Sequence, residues 1–252
     1  FVGVEALAAV GSVGGLNYLV LGFVNGIACG FSIPISWTFG AKDYKEMRRY
    51  TANTVWLSIF FAVVLTIVTV ALTRSVLVWT NTPENIIDLA DIYIRTIFAG
   101  IPFTLLYNVT SALMRALGDS KSALYFLMIS SVLNIGGDLF FVQVLNWGSN
   151  GCALSTVVSE ALCCVLCVLY IRWKVPILQL GRRWLVFDGK LLRKTVSYGW
   201  ASAMQQATVQ LGKIAVQAIV NTMGVNAMAA FTAASRIDDF AYTPQQNIGH
   251  AM

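Results

Sequence analysis

Three ionisable residues stand inside long apolar stretches of the chain: Asp138, Glu160 and Lys213. Such residues are costly in a membrane-spanning helix, and they usually mark an ion or substrate pathway. Asp138 has the most informative neighbours, because Ser130 and Asn134 precede it by eight and four residues and share its helix face. A carboxylate with an amide one turn away can take up a proton or help to surround a cation such as Na⁺ with oxygens. The alternative for Asp138 is a solvated place near the outer end of its helix.

Glu160 lies near the middle of its apolar stretch, one helical turn after Thr156. A carboxylate at this depth needs a partner or a function, because an unpaired charge is costly away from water. Glu160 therefore either takes part directly in ion binding or is the structural partner of a Ser, Thr or Lys on a neighbouring helix.

Residues 195–221 carry a polar stripe that contains Lys213. Its members recur every three or four residues and so share one helical face: Ser202, Gln206, Gln210, Lys213, Gln217 and Asn221. This face cannot be exposed to lipid, because polar groups without hydrogen-bond partners are not tolerated in the hydrocarbon core of the bilayer. We expect the part from Gln206 to Gln217 to line a water-filled substrate cavity. Tyr107, beside Asn108 and Ser111, is a weaker candidate for the same lining, since aromatic residues more often serve packing.

Composition places these residues in an integral membrane protein. Hydrophobic residues make up 57% of the 252 residues and charged residues 12%, against about 25% charged residues in soluble domains. Six segments approach the length of about 20 mostly apolar residues that spans a bilayer: 14–39, 52–73, 86–114, 122–145, 151–171 and 195–221. Pro34 and Pro102 are expected to kink their helices. The sequence predicts an all-α polytopic bundle of six complete transmembrane helices and part of a seventh, within 226–252.

A repeated sequence motif indicates that these helices belong to two lobes. The sequence GVEALAAV at 3–10 returns as GVNAMAAF at 224–231, with five of eight positions identical. Repeats separated by a block of spanning helices are typical of two-lobed transporters. We predict an N-terminal lobe at 1–171, a cytoplasmic loop at 172–194 and the start of a C-terminal lobe at 195–252. The chain is expected to be an internal part of a longer protein that lacks the first helix here.

Basic residues collect on one side of the predicted bundle. The loops at 42–49, 115–121 and 172–194 hold thirteen of the seventeen Lys and Arg residues. The positive-inside rule places these loops in the cytoplasm, where they meet lipid headgroups. The net charge of +5 therefore indicates membrane topology rather than nucleic-acid binding.

The five cysteines do not form a recognisable site. Cys163, Cys164 and Cys167 lie in one apolar helix without a second ligand pair, and Cys29 and Cys152 stand apart. We expect all five to be small packing residues, with neither a disulfide framework nor a metal site.

Several phrases, in order along the whole chain, carry a resemblance to a known family: ALAAVG at 6–11, TFGAKD at 38–43, RALGDSK at 115–121, LNIGGDLF at 133–140, GSNGCA at 148–153 and AFTAASRI at 230–237. With these phrases the chain resembles the multidrug and toxic compound extrusion (MATE) family. The resemblance implies family helices two to seven and part of helix eight.

The resemblance also implies a function and a site. It implies two six-helix lobes around a cavity that opens to each side in turn, and export of cationic or amphipathic drugs in exchange for H⁺ or Na⁺, with no other cofactor. In one subgroup an Asn and an Asp on helix five and a Thr on helix six form a polar cluster, and these match Asn134, Asp138 and Thr156. That cluster also uses an Asp on helix one, which this chain lacks. Other members carry an acid on helix seven, where this chain has Gln205 and Gln206.

Two other functions are alternatives to drug export. A flippase for lipid-linked saccharides needs a strongly basic cavity, and Lys213 is the one basic residue deep in a predicted span. An intramembrane enzyme is disfavoured, because the sequence has neither H-E-x-x-H nor G-x-S-x-G. We expect a monomeric antiporter, not an enzyme, in a bacterial cell membrane.

Overall fold

The computed structural model describes residues 4–79, 84–178 and 188–221, and the single positions 231 and 234. All regular structure within these ranges is helical, which confirms the predicted all-α class. The helices are α1 (Val4–Gly40), α2 (Tyr44–Trp79), α3 (Glu84–Ala99), α4 (Ile101–Ala116), α5 (Ser120–Leu139), α6 (Gly148–Lys174) and α7 (Gly189–Asn221). A π-helical turn, Phe140–Val144, extends α5, and a 3-10 turn, Pro176–Leu178, follows α6. The predicted seventh helix lies outside the described residues, apart from the two single positions.

Five of the predicted spans correspond to helices long and apolar enough to cross a membrane. These are α1, α2, α5 with its π turn, α6, and the pair of α3 and α4 taken as one bent span. The sixth predicted segment corresponds to α7, a continuous helix of 33 residues. Its polar stripe makes α7 less apolar than the other five. The chain is thus a multi-pass membrane protein.

The helix pair of α3 and α4 bends by 43° at Gly100. Pro102 stands in the first turn of α4, where it removes no hydrogen bond of α4 but cannot donate the bond that would continue α3 into α4 as one unbroken helix. Gly100 lets α6 approach the bend, because a Cβ at this position would lie 2.4 Å from Cγ2 of Val157. The kink expected at Pro102 is therefore present, whereas α1 runs through Pro34 without interruption.

The chain divides into two compact units, Phe1–Ala207 and Thr208–Met252. The first unit holds α1 to α6 and the first part of α7. Its core is built mainly from α1 to α4, with Phe31, Met47, Phe98 and Leu105 fully or almost fully buried. In the second unit the described part is the end of α7, together with the two single positions.

Glycines let α1 and the first part of α7 pack with their backbones in contact. A Cβ on Gly30 would lie 2.5 Å from Cα of Gly199, and one on Gly26 would lie 2.6 Å from Cα of Ala203. The ring of Phe31 fills the space that a side chain at position 199 would need. Small residues serve close helix packing in membranes, where the hydrophobic effect between helices is absent.

Polar contacts fix the predicted cytoplasmic ends of the helices. Asp119 caps α5 by accepting a hydrogen bond from the backbone N–H of Ser122, and its other oxygen accepts one from the hydroxyl of Tyr170 on α6. Burial raises the pKa of Asp119, but the hydrogen bonds from Ser122 and Tyr170 outweigh it and hold the pKa below its ordinary value. These bonds tie the start of α5 to the end of α6.

Candidate ion-coupling site

One face of α5 points into the first unit, and the rest of the helix is exposed. The partly or fully buried positions recur every three or four residues: Ser122, Ala123, Phe126, Ser130, Asn134, Gly137 and Asp138. This periodicity follows from the helical repeat of 3.6 residues per turn. Asn134 and Asp138 therefore turn toward α6 and not toward lipid.

Asn134 and Thr156 are brought together between α5 and α6. The Nδ2 atom of Asn134 donates a hydrogen bond to Oγ1 of Thr156 over 3.1 Å, and Oγ1 of Thr156 donates in turn to the carbonyl of Cys152 over 3.0 Å. Ser155 adds a third bond, because its hydroxyl donates to the carbonyl of Asn134 over 2.9 Å. With the side-chain N–H of Asn134 engaged, its amide oxygen is left as an acceptor.

Asp138 stands one turn beyond Asn134 with one oxygen unpaired. Its Oδ1 atom is buried and has no hydrogen-bond partner among the described residues. The phenol of Tyr93 on α3 and the thiol of Cys152 on α6 lie within electrostatic range of this carboxylate. A buried acceptor without a partner costs about 1–3 kcal/mol, and more when it is charged. Such an oxygen gains most when it receives a proton or a cation.

Gly137 makes the contact between the two helices possible. A Cβ at this position would lie 2.4 Å from the hydroxyl oxygen of Ser155. Because Ser155 also bonds to the carbonyl of Asn134, the glycine sets how closely the hydrogen-bonding residues of α5 and α6 approach each other.

Sequence reasoning missed three members of this neighbourhood, Tyr93, Cys152 and Ser155. The spacing within α6 offered a weak signal for Cys152, which lies one turn before Thr156. Tyr93 lies on α3, far away in the sequence, and no periodicity shows which faces of two distant helices meet.

Glu160 belongs to a different contact, although it lies only one turn from Thr156 on α6. The hydroxyl of Thr104 on α4 donates a hydrogen bond to Oε2 of Glu160. This contact is of the kind expected for a structural partner on a neighbouring helix. Tyr107 is buried close by, and it packs with Met114 and with the sulfur atoms of α6.

Those sulfur atoms belong to three of the five cysteines. Cys163, Cys164 and Cys167 are buried free thiols in this cluster between α4 and α6. Across the described residues, no group of three or more His, Cys, Asp or Glu side chains has the arrangement of a metal site.

The predicted cavity stripe is distributed over both units. Gln206 is half-buried in the first unit. In the second unit, Gln210 is half-buried and Lys213 is exposed, and the side chain of Gln217 lies outside the described part. Cavity lining by these residues stays a prediction.

Comparison with known proteins identifies the family. Residues 1–140 match the family model MatE. The chain is 32% identical to the probable multidrug resistance protein YoeA of Bacillus subtilis, over 100% of this chain and 56% of that relative. It is 29% identical to the probable multidrug resistance protein YpnP of the same species, over 99% of this chain and 56% of that relative.

Solved structures share the fold. A crystal structure of MATE in complex with MaD3S superposes with a TM-score of 0.91 at 24% identity, over 99% of this chain and 57% of that one. A crystal structure of MATE in the straight conformation gives a TM-score of 0.90 at 25% identity, over 99% and 56%. The chain spans about half the length of the relatives that it matches. From the family match and this shared architecture, the chain belongs to the MatE family.

Proposed function

We propose that this chain supplies the first lobe, and the start of the second, of a secondary active antiporter. The transporter exports small organic cations and amphipathic drugs by alternating access, in exchange for H⁺ or Na⁺. The observation that carries the proposal is the unpaired, buried oxygen of Asp138 beside the bonded pair of Asn134 and Thr156. Relatives that are named as multidrug resistance proteins support the choice of substrate class.

Ion binding at Asp138 would drive transport through its charge. The ionised carboxylate is costly in a low-dielectric interior, and a bound proton or Na⁺ removes most of that cost. An arrangement of the lobes that buries Asp138 is therefore favoured when the ion is bound. A substrate that binds more tightly to the opposite arrangement of the lobes competes with the ion. Each of the two ligands then lowers the affinity of the transporter for the other by the same factor. A ligand must supply about 5.5 kcal/mol of differential affinity to move such an equilibrium from 1:99 to 99:1.

Asn134 and Thr156 would hold the site in shape. Asn134 contributes its amide oxygen to the ion, and Thr156 fixes the orientation of that amide through the bond to Nδ2. The polar stripe from Gln206 to Gln217 would line the substrate path, whereas Tyr107 is buried between α4 and α6 and would support the wall from behind. We further propose that the basic loops face the cytoplasm of a bacterial cell and that the transporter acts as a monomer.

The test uses the full-length transporter in proteoliposomes. A fluorescent organic cation is followed under an imposed H⁺ or Na⁺ gradient for the wild type and for Asp138→Asn. Gradient-driven transport should be lost in this variant, because asparagine cannot change its charge. Asp88→Asn is the matched control, since Asp88 forms an exposed ion pair with Arg74 over 3.5 Å, and such pairs contribute little.

Two outcomes would contradict the proposal. Transport by Asp138→Asn at the wild-type rate would show that this carboxylate does not couple the ion. If the wild type moves no cation under either gradient, the drug-export proposal fails, and transport of a lipid-linked saccharide becomes the next function to test.

A further inference from the structure

A second polar group of the first unit lies at the bend between α3 and α4. The carbonyl of Gly100 accepts hydrogen bonds from the backbone N–H groups of Phe103 over 2.9 Å and Thr104 over 3.1 Å. The hydroxyl oxygen of Thr104 also lies 3.3 Å from this carbonyl. Thr104 thus closes the first turn after the bend with both its backbone and its side chain.

Helix α6 brings Glu160 to the same hydroxyl. Val157 packs on Gly100, and Glu160, almost one turn later, meets Oγ1 of Thr104 through Oε2. The other titratable groups in electrostatic range are the phenol of Tyr107 on α4 and the thiol of Cys163 on α6. In the described part of the chain, no basic side chain from α3, α4 or α5 acts on Glu160. Among the described residues of these helices, the carboxyl group therefore has a neutral hydroxyl as its partner and no cation that compensates its charge.

The hydroxyl of Thr104 has one proton and two acceptors within reach. A threonine hydroxyl donates a single hydrogen bond, while its oxygen can accept. When Glu160 is ionised, its carboxylate can only accept, so it draws the proton of Thr104 away from Gly100. When Glu160 is protonated, it can donate to Oγ1 of Thr104, and the threonine proton is then free for the carbonyl of Gly100.

We propose that Glu160, Thr104 and Gly100 form a proton switch that is separate from Asp138. A proton taken up by the carboxylate reverses the direction of one hydrogen bond and adds another across the bend between α3 and α4. Only the O–H bond on Glu160 is made or broken. Protonation of Glu160 on α6 thus adds a hydrogen bond to the first turn of α4 and makes that turn more rigid. Its role in transport rests on the proposed antiport function, whereas proton binding at Glu160 does not.

The switch is tested by infrared difference spectroscopy on the purified full-length transporter in lipid. A protonated carboxylic acid has its own C=O stretching band, which disappears on ionisation. We expect the amplitude of this band to change with pH as the carboxyl group gains or loses its proton. This band should be lost in Glu160→Gln and retained in Asp138→Asn.

Substitutions at Thr104 test the relay itself. In Thr104→Val the band should shift in frequency and its midpoint should move to higher pH, because valine cannot donate to the ionised carboxylate and hydrogen bonds to charged groups are the stronger ones. Thr104→Ser keeps the hydroxyl and should behave like the wild type. Thr110→Val is the matched control on the same helix, where the hydroxyl bonds to the carbonyls of Leu106 and Tyr107.

Three results would overturn the switch. One is a set of carboxylic bands that Glu160→Gln leaves unchanged. Another is a Glu160 band with constant amplitude over the whole pH range, since a fixed proton cannot switch anything. The third is equal behaviour of Thr104→Val and Thr104→Ser. None of these measurements needs transport, so failure of the export test with Asp138→Asn is distinguished from failure here.

Discussion

Two adjacent glycines on α5 give a direct test of how the candidate site is assembled. A Cβ on Gly136 would meet no atom within 4 Å, whereas one on Gly137 would lie 2.4 Å from the hydroxyl oxygen of Ser155 and 3.2 Å from its Cβ. The two positions share a helix, a depth and a residue type. Substitution of each by alanine therefore differs mainly in the contact with α6.

The expected energies have opposite signs. Alanine in place of a helical glycine gains about 0.8–1.0 kcal/mol from backbone propensity, and Gly136→Ala should show this gain. In Gly137→Ala, Ser155 must retreat by roughly 1 Å to reach ordinary van der Waals distance. Overpacking costs about 1–3 kcal/mol, and loss of the bond from Ser155 to the carbonyl of Asn134 costs about 0.5–1.5 kcal/mol. The free energy of unfolding should thus be lower for Gly137→Ala than for Gly136→Ala by about 1.5–4.5 kcal/mol.

Heat unfolding of the solubilised full-length protein, at one fixed scan rate, measures the difference. A fixed rate is needed because such unfolding is commonly irreversible. Ser155→Ala completes a double-mutant cycle with Gly137→Ala, and it should relieve most of the clash while costing the single hydrogen bond. Equal stability of the two glycine variants, or additive effects in the cycle, would refute the packing that we describe.

Two further variants probe other contacts of the first unit. Gly30→Ala should destabilise the protein by about 1–3 kcal/mol, because the added Cβ would meet the backbone of Gly199. Gly14→Ala on the same helix is the control, since its Cβ would meet no atom within 4 Å. The unfolding temperatures of the two variants are compared, and equal values would contradict the close packing. Tyr170→Phe removes a hydrogen bond that helps to keep the pKa of Asp119 low when folded; that stabilisation is present above the unfolded pKa and is lost as the pH falls through the folded one. The wild type should therefore be more stable than Tyr170→Phe at neutral pH and lose this advantage in acid, and a difference independent of pH would show that Asp119 is not involved.

Much of the fold follows from the sequence because membrane helices are defined by length and polarity. Five of the six segments predicted by hydropathy correspond to helices long and apolar enough to span a membrane or to the bent pair. Pro102 predicted a bend in this segment, but the close contact between Gly100 and Val157 on α6 is encoded by no local pattern. The hydrophobic periodicity of the sequence did not predict the π-helical turn Phe140–Val144.

The candidate site is predictable only where its residues share a helix. Asn134 and Asp138 lie four residues apart, so their common face follows from helical geometry. A polar cluster of Asn134, Asp138 and Thr156 was implied by the family resemblance and not by spacing, and the bond from Asn134 to Thr156 is seen only in the structure. The pairing of Glu160 with Thr104 joins residues 56 positions apart, and the sequence offered several hydroxyl groups that could equally have met Glu160.

Asp138 and Glu160, two carboxyl groups of the first unit, differ in their surroundings. Cys152 lies within electrostatic range of Asp138, and Glu160 follows Cys152 by eight residues on α6, about 12 Å along the helix axis. At an effective dielectric constant of about 20, two charges at this separation repel by about 1.4 kcal/mol, a factor of about ten in proton affinity. Asp138, with an unpaired oxygen, is suited to receive either a proton or a cation. Glu160 faces one neutral hydroxyl, and this setting provides too few oxygens to replace the hydration of Na⁺ and favours a proton. Under the two proposals, the lobe would respond to protons through Glu160 whichever ion binds at Asp138.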